Sequence, residues 1–236
     1  GAHSGAIKLH FNQIHMAKLR QTHDMGGATA PLPGALICQE GDAFSACAGG
    51  DQDVINAHAF AGDTYDFFAS THGRDGIDDA GSAMISSVHY DVGFQNAFWN
   101  GVQMVYGDGF ADADDVVGHE LAHGVTQYES NLLYYYQSGA INESFSDVWG
   151  EFVDLSNGSG DDSAAVRWLL GEDLTIIGGA IRDMKDPPAM GDPDRMTSAD
   201  YWTSSGDSGG VHINSGVNNK AAYLITDGDT FNGFTV

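Results

Sequence analysis

Two histidines four residues apart, with a glutamate beside the first, stand in the run Asp115-Val-Val-Gly-His119-Glu120-Leu-Ala-His123. On an α-helix, positions i and i+4 share a face about 6 Å apart along the axis, so both imidazoles reach one ion. Zinc takes neutral imidazole nitrogens at about 2.0–2.1 Å and, in a catalytic site, keeps one position open for water. Glu120 falls off the ligand face, where its carboxylate is placed to take a proton from that water. Two histidines on an ordinary amphipathic helix share this spacing, so the short pattern does not decide the matter by itself.

A zinc site with two histidines needs a third protein ligand, and a carboxylate on a following helix supplies one. The run Ser138-Gly-Ala-Ile-Asn142-Glu143-Ser-Phe-Ser-Asp147 offers it in Glu143. Asp147 comes one turn later on the same face. There it is expected to accept from the second nitrogen of a ligand imidazole, which fixes the tautomer and raises the basicity of the ring. Ser138 has the chemistry of an N-cap for this helix. Two solvated acids in a very acidic chain are the plainer alternative for Glu143 and Asp147.

The elements that hold these groups are read from period and punctuation. Residues 1–50 suggest short strands and turns, with Ile7, Leu9 and Phe11 alternating and Pro31-Leu-Pro-Gly34 as a break. Residues 53–72 have helical spacing, with Phe60, Ala61, Tyr65 and Phe68 near one face and Gly73 as the stop. Ala83–Tyr90 is strand-like. Ala97–Trp99, a tight Asn100-Gly101 turn and Val102–Tyr106 suggest a hairpin. Helices are expected near 115–129, 138–154 and 212–226, joined by Gly- and Asp-rich loops, with no internal repeat. The fold class is α+β: a β-rich part over 1–130 that ends in the zinc helix, then an α-helical part over 131–236.

The chain has 236 residues and is 42% hydrophobic, enough for one large or two small domains. Its formal charge of −24 repels phosphate backbones and leaves no basic groove, so nucleic acid is not an expected partner. No apolar run approaches the ~20 residues that span a bilayer, so a membrane is not expected either. Dense Asp suits calcium binding, solubility or high salt. Cys38 and Cys47 are spaced for a disulfide closing a small loop, an arrangement of oxidising compartments, or for two unpaired thiols. The chain opens on Gly1 without a signal peptide, as a mature secreted enzyme or a fragment of a longer reading frame would.

Block 115–154 resembles the thermolysin family of zinc metalloendopeptidases almost position by position, including Gly-Val-Thr after His123 and Ser-Gly-Ala-Ile-Asn-Glu around Glu143. The resemblance extends to Ser87-Val-His-Tyr90, Gln95-Asn-Ala-Phe-Trp-Asn-Gly101, Met104-Val-Tyr-Gly-Asp108 and Asp207-Ser-Gly-Gly-Val-His212-Ile-Asn-Ser-Gly216, and covers roughly 24–236. It implies a β-rich N-terminal domain, an α-helical C-terminal domain and the active-site helix in the cleft between them. It also implies Zn2+ as the catalytic cofactor and a secreted, extracellular, monomeric enzyme whose partners are protein or peptide substrates. Tyr134 and His212 match the donors that meet the developing oxyanion, and Asp207 matches the acid that orients that histidine. Asn96 and Ala97 match an edge segment that hydrogen-bonds extended substrate, and Arg182 the arginine on a substrate carbonyl. Val116, Leu170, Leu174 and Ile181 match an apolar pocket just past the scissile bond. Asp115, Glu151, Asp154 and Glu172 match structural Ca2+ ligands. His89 is expected to be structural; His3, His10, His15, His23, His58 and His72 have no comparable context.

Three departures accompany the resemblance. The segment between Gly109 and Asp115 is shorter than in the family's type member. Arg167 stands where some relatives carry an acid and Leu169 offers only its carbonyl, so one calcium ion is expected rather than two, with Asp161 or Asp162 as substitutes. The family continues past the position of Val236 into more helices, so the chain is expected to be truncated. Residues 1–236 alone are then expected to bind zinc weakly or aggregate through Val217, Ala221, Leu224 and Ile225. The competing functions are a catalytically silent zinc-binding module on the same fold and a zinc aminopeptidase. The presence of Glu120, Tyr134 and His212 speaks against the first, and the lack of a Gly-x-Met-Glu-Asn-type segment against the second.

Overall fold

The computed structural model describes residues 18–43 and 47–236. His3, His10, His15 and the alternation Ile7, Leu9, Phe11 lie outside the described residues. Strands β1 (Arg20–Asp24), β2 (Ala35–Gln39), β3 (Met84–Val88), β4 (Ala97–Trp99) and β5 (Met104–Tyr106) form one sheet in the order β2-β1-β3-β5-β4. The inner pairs β1/β3 and β3/β5 are parallel and the outer pairs antiparallel. Helix α1 (Gln52–His72) lies against the sheet. Asp51 caps its start by accepting from the Val54 N–H, and Gly73 ends it in the left-handed region at φ 68°. Val54, Ala57, Ala61, Tyr65 and Phe68 recur at helical spacing on the buried face. Full burial of residues such as Val54 and Phe68 is worth about 1.5–3 kcal/mol each. Cys38 and Cys47 are joined in a disulfide.

Helices α2 (Asp114–Tyr128), α3 (Tyr136–Asn157) and α4 (Asp207–Thr226) follow, with a short β6/β7 ribbon (Leu169–Leu170, Arg182–Asp183) between the last two and a β8/β9 hairpin (Thr230–Phe231, Phe234–Thr235) after α4. The architecture is therefore α+β, with α2 packed on α1 and β4 on one side and on α3 on the other. Gly118 and Gly150 make the α2–α3 approach feasible: a Cβ on Gly118 would meet the Gly150 Cα at 3.1 Å, and one on Gly150 would strike the Asp115 carbonyl. The sheet-side core joins Val54, Met84, Val88, Met104 and Tyr106 to Val116, Val117 and Leu121 of α2. A second cluster of Trp168, Met184, Tyr223 and Leu224 backs α3 and α4. Among the described residues no helix is long and apolar enough to cross a membrane.

Several boundaries differ from expectation for local reasons. The β4–β5 turn is four residues long, not two, because Asn100 Oδ1 accepts from the Val102 and Gln103 N–H groups and draws both into the turn. Helix α3 begins at Tyr136, so Ser138 is inside its first turn; its hydroxyl donates to the carbonyls of Leu133 and Tyr135 instead of capping an N–H. Helix α4 is reckoned from Asp207, but Ser208, Gly209 and Gly210 have φ of 51°, 91° and 79°, so regular helix starts at Val211. Along α4, Leu224 is buried and Val217 half-buried, while Ala221 and Ile225 are exposed.

His89 ties the start of α1 to the loop after β5. Its Nε2 lies 2.9 Å from Asp51 and its Nδ1 2.7 Å from Asp108, with Asp53 at 3.6 Å. Burial alone would depress the imidazole, but the Asp108 and Asp51 carboxylates hold it up at about 9. A pKa raised on folding stabilises fully below the unfolded value near 6.5, and that contribution is lost as pH rises through about 9. His89→Asn is expected to lower Tm at pH 6 by roughly 2–4 °C, the shift for about 1 kcal/mol in a domain of this size. By pH 10 the two melting curves should coincide; an equal deficit at both pH values would exclude the charge network.

Candidate active site

Helix α2 carries His119, Glu120 and His123 into a cleft of about 600 Å3, which Glu143 of α3, Arg182 of β7, Tyr134 of the α2–α3 loop and His212 of α4 also line. His119 and His123 lie one turn apart with their Nε2 atoms 3.0 Å from each other. Glu143 closes the triangle at 3.6 Å from His119 Nε2 and 3.3 Å from His123 Nε2. Donors held 2.0–2.1 Å from a tetrahedral ion stand about 3.3–3.4 Å apart, so these edges fit zinc. The electrostatics agree. Glu143 is fully buried and its Oε2 has no hydrogen-bond partner, an orphaned anionic oxygen that a cation would satisfy. Burial pushes that carboxyl up, yet the His123 and His119 imidazoles hold it well below the usual range. Burial likewise depresses His123, but the Glu143 carboxylate holds it at about 9.

The surrounding contacts orient the donors. His119 Nδ1 lies 2.8 Å from Asp147 Oδ1, at ion-pair distance but off the line of a hydrogen bond. Asp147 is buried, yet Arg182 and His119 keep its carboxyl down at about 2. Arg182 donates Nε and Nη2 to Asp147 at 2.8 and 2.6 Å. On the other ligand, His123 Nδ1 pairs with Asn142 Oδ1 at 2.8 Å. The role of Asn142 was not expected from sequence, although its place next to Glu143, one residue off the ligand, was the available signal.

The Tyr134 hydroxyl donates to Glu143 Oε1 and lies 3.0 Å from His212 Nε2. Burial, then the Glu143 charge, raises the Tyr134 phenol, so it stays a donor. His212 is pinned by Asp207, whose Oδ1 is 2.6 Å from Nδ1 and whose Oδ2 accepts from the His212 N–H. The left-handed residues 208–210 fold Asp207 back under His212 in this way. Asn96 and Ala97, at the β4 edge of the sheet, and the apolar residues Val116, Leu170, Leu174 and Ile181 line the same cleft.

A second acidic group lies behind α2. Asp115, Glu151 and Asp154 are buried and Glu172 half-buried. Asp115 Oδ2 accepts from the Gly171 N–H, and Glu151 Oε1 accepts from the Trp168 N–H at 2.8 Å. Asp154 Oδ1 and Glu172 Oε2 have no partner among the described residues. Burial first, then neighbouring carboxylates, lifts Asp154 to about 10, Glu172 to about 7 and Asp115 well above its ordinary value. Burial alone leads for Glu151, which reaches about 7. Arg167 pairs with Asp227 at 3.0 Å, and Asp161 and Asp162 are exposed.

The chain is similar in sequence and fold to known proteins. A family model described as the thermolysin metallopeptidase catalytic domain matches residues 7–127, and one described as the thermolysin metallopeptidase alpha-helical domain matches 130–236. The chain belongs to the thermolysin metallopeptidase family. It is 44% identical over 215 residues to bacillolysin of Bacillus cereus, covering 87% of this chain and 36% of that protein. It is 43% identical over 215 residues to the thermostable neutral protease NprT of Geobacillus stearothermophilus, covering 87% and 38%. The solved structure of the precursor of protealysin, a metalloproteinase from Serratia proteamaculans, superposes with a TM-score of 0.75 at 38% identity, covering 93% of this chain and 71% of that one. The chain thus spans between a third and two fifths of the length of these curated relatives.

Proposed function

We propose that the protein is a secreted, monomeric zinc endopeptidase that cleaves extended peptides on the amino side of bulky apolar residues. The observation that carries this is the convergence of His119, His123 and Glu143 in one cleft beside Glu120. A zinc ion held by those three residues supplies Lewis-acid polarisation and makes water nucleophilic near neutral pH. Glu120, almost fully buried yet lining the cleft, takes the proton from the attacking water and delivers it to the leaving nitrogen. Tyr134 and His212 face the oxygen on which negative charge develops, and Asp207, paired with His212 Nδ1, aims the Nε2 edge of the ring at it.

The peptide lies along the β4 edge, where Asn96 and the backbone at Ala97 hydrogen-bond it as an added strand. Arg182 keeps Nη1 for a substrate carbonyl, since its Nε and Nη2 are engaged by Asp147. The division of labour follows a boundary near residue 130, with the sheet edge and α2 before it and Glu143, Arg182 and His212 after it. The acids Asp115, Glu151, Asp154 and Glu172 hold one Ca2+; the unpartnered oxygens of Asp154 and Glu172 support this, and Arg167, turned to Asp227, adds no ligand of its own.

Specificity comes from Val116, Leu170, Leu174 and Ile181, where burying a Leu or Phe side chain is worth about 1.5–3 kcal/mol. Digestion of a peptide library by the zinc-loaded protein should give dominant cleavage before Leu, Ile, Val or Phe. Dominant cleavage beside Lys, Arg, Asp or Glu would overturn the assignment of this pocket, and no cleavage at all by the full-length protein would overturn the peptidase reading.

A further inference from the structure

Asn219 is buried on α4, 72 residues from the carboxylate it holds: its Nδ2 donates to Asp147 Oδ2 at 2.7 Å. The other oxygen of Asp147 faces His119, a zinc-ligating residue in the proposed reading. Seven residues before Asn219 on the same helix is His212, the proposed oxyanion donor. Seven residues are close to two turns, so the two side chains leave α4 on nearly the same face, about 10 Å apart along the axis. Asn219 therefore anchors to the metal-side carboxylate the very helix that sets where His212 stands.

Local stability gives an incomplete account of this residue. Asp147 already accepts two hydrogen bonds from Arg182 and has His119 beside it. Asn219 Oδ1, meanwhile, is buried with no partner. A buried acceptor without a donor is a cost that offsets part of the charge-assisted bond from Nδ2 to Asp147. Arg182 lines the substrate cleft, so the Asp147–Arg182 pair has one partner exposed to whatever the cleft binds. The contact from Asn219 ties this pair to α4, which packs against α3.

We infer that Asn219 is a positioning residue: through Asp147 it fixes the orientation of His119 and the distance between the metal site and His212. The inference rests on the zinc-peptidase reading.

The test compares Asn219→Leu and the isosteric Asn219→Asp with the unsubstituted zinc-loaded protein. Readouts are melting, zinc affinity by chelator competition, the visible spectrum of the Co2+-substituted protein, kcat and KM. Asn219→Leu should bind zinc about 10-fold more weakly, shift the Co2+ bands and lose about 10-fold in kcat at unchanged KM, effects that a change in melting alone would not produce. Asn219→Asp, unable to donate to Asp147 when ionised, should lose at least as much in affinity and kcat, and it reports in place of the leucine variant if that variant does not fold. Unchanged zinc affinity, spectrum and kcat in the folded variants overturn the inference, whether or not melting changes. Failure of the unsubstituted full-length protein to bind zinc or cleave peptide counts instead against the zinc-peptidase reading.

Discussion

Glu120→Gln should leave zinc in place while peptide hydrolysis falls by at least ~10²-fold, the lower range for removal of a general base. Glutamine keeps the size and hydrogen-bonding reach of the side chain but does not accept a proton. Glu120 follows His119 by one residue, so it leaves α2 about 100° around the axis from that ligand and is not part of the His119, His123, Glu143 triangle. The metal donors are thus untouched by the change. Glu143→Gln behaves in the opposite way: it removes the buried charge that draws the cation, so zinc affinity falls and activity goes with it. Zinc content and kcat measured on both variants separate the two roles. Hydrolysis within a few fold of the parent in zinc-loaded Glu120→Gln would remove Glu120 from the chemistry.

The second large effect concerns the acids behind α2. Glu151 and Glu172 are raised to about 7 and Asp154 to about 10, so the folded chain binds more protons there than the unfolded chain. Under linkage, that makes stability fall as pH rises from the ordinary carboxylate range through 7 and on towards 10. A hard divalent cation bound to the ionised cluster reverses the loss. Millimolar Ca2+ should therefore change Tm little at pH 5 and raise it by about 5–10 °C at pH 8, for a ligand near 100 times its Kd. Zinc is kept saturating throughout, so that loss of the catalytic metal is not mistaken for loss of calcium. Melting at pH 8 that is indifferent to calcium would show that the cluster does not hold the ion.

What could be read from the sequence was local in origin. The zinc helix was legible because two ligands four residues apart on one helix face need no tertiary information. Asp147 was legible for the same reason, one turn beyond Glu143. Helix α1 announced its period through Phe60, Ala61, Tyr65 and Phe68, of which the last three are buried and Phe60 half-buried, and its end through Gly73. The misses came where a side chain competed with regular backbone. Asn100 lengthened a turn, Ser138 bonded backwards to loop carbonyls, and three left-handed residues turned the start of α4 into a bracket for His212. Asn219 was hidden for a different reason. Its partner is far away in the chain, and nothing in the spacing of α4 marks a polar residue that faces another helix's carboxylate.

The most direct measurement is hydrolysis of a peptide with Leu or Phe just past the scissile bond, before and after the zinc is stripped by a chelator and the chelator removed, with Ca2+ held constant. The predicted result is complete loss of cleavage on stripping and its return on addition of one equivalent of Zn2+. Cleavage that survives complete removal of zinc would contradict the assignment of His119, His123 and Glu143 as the centre of the chemistry.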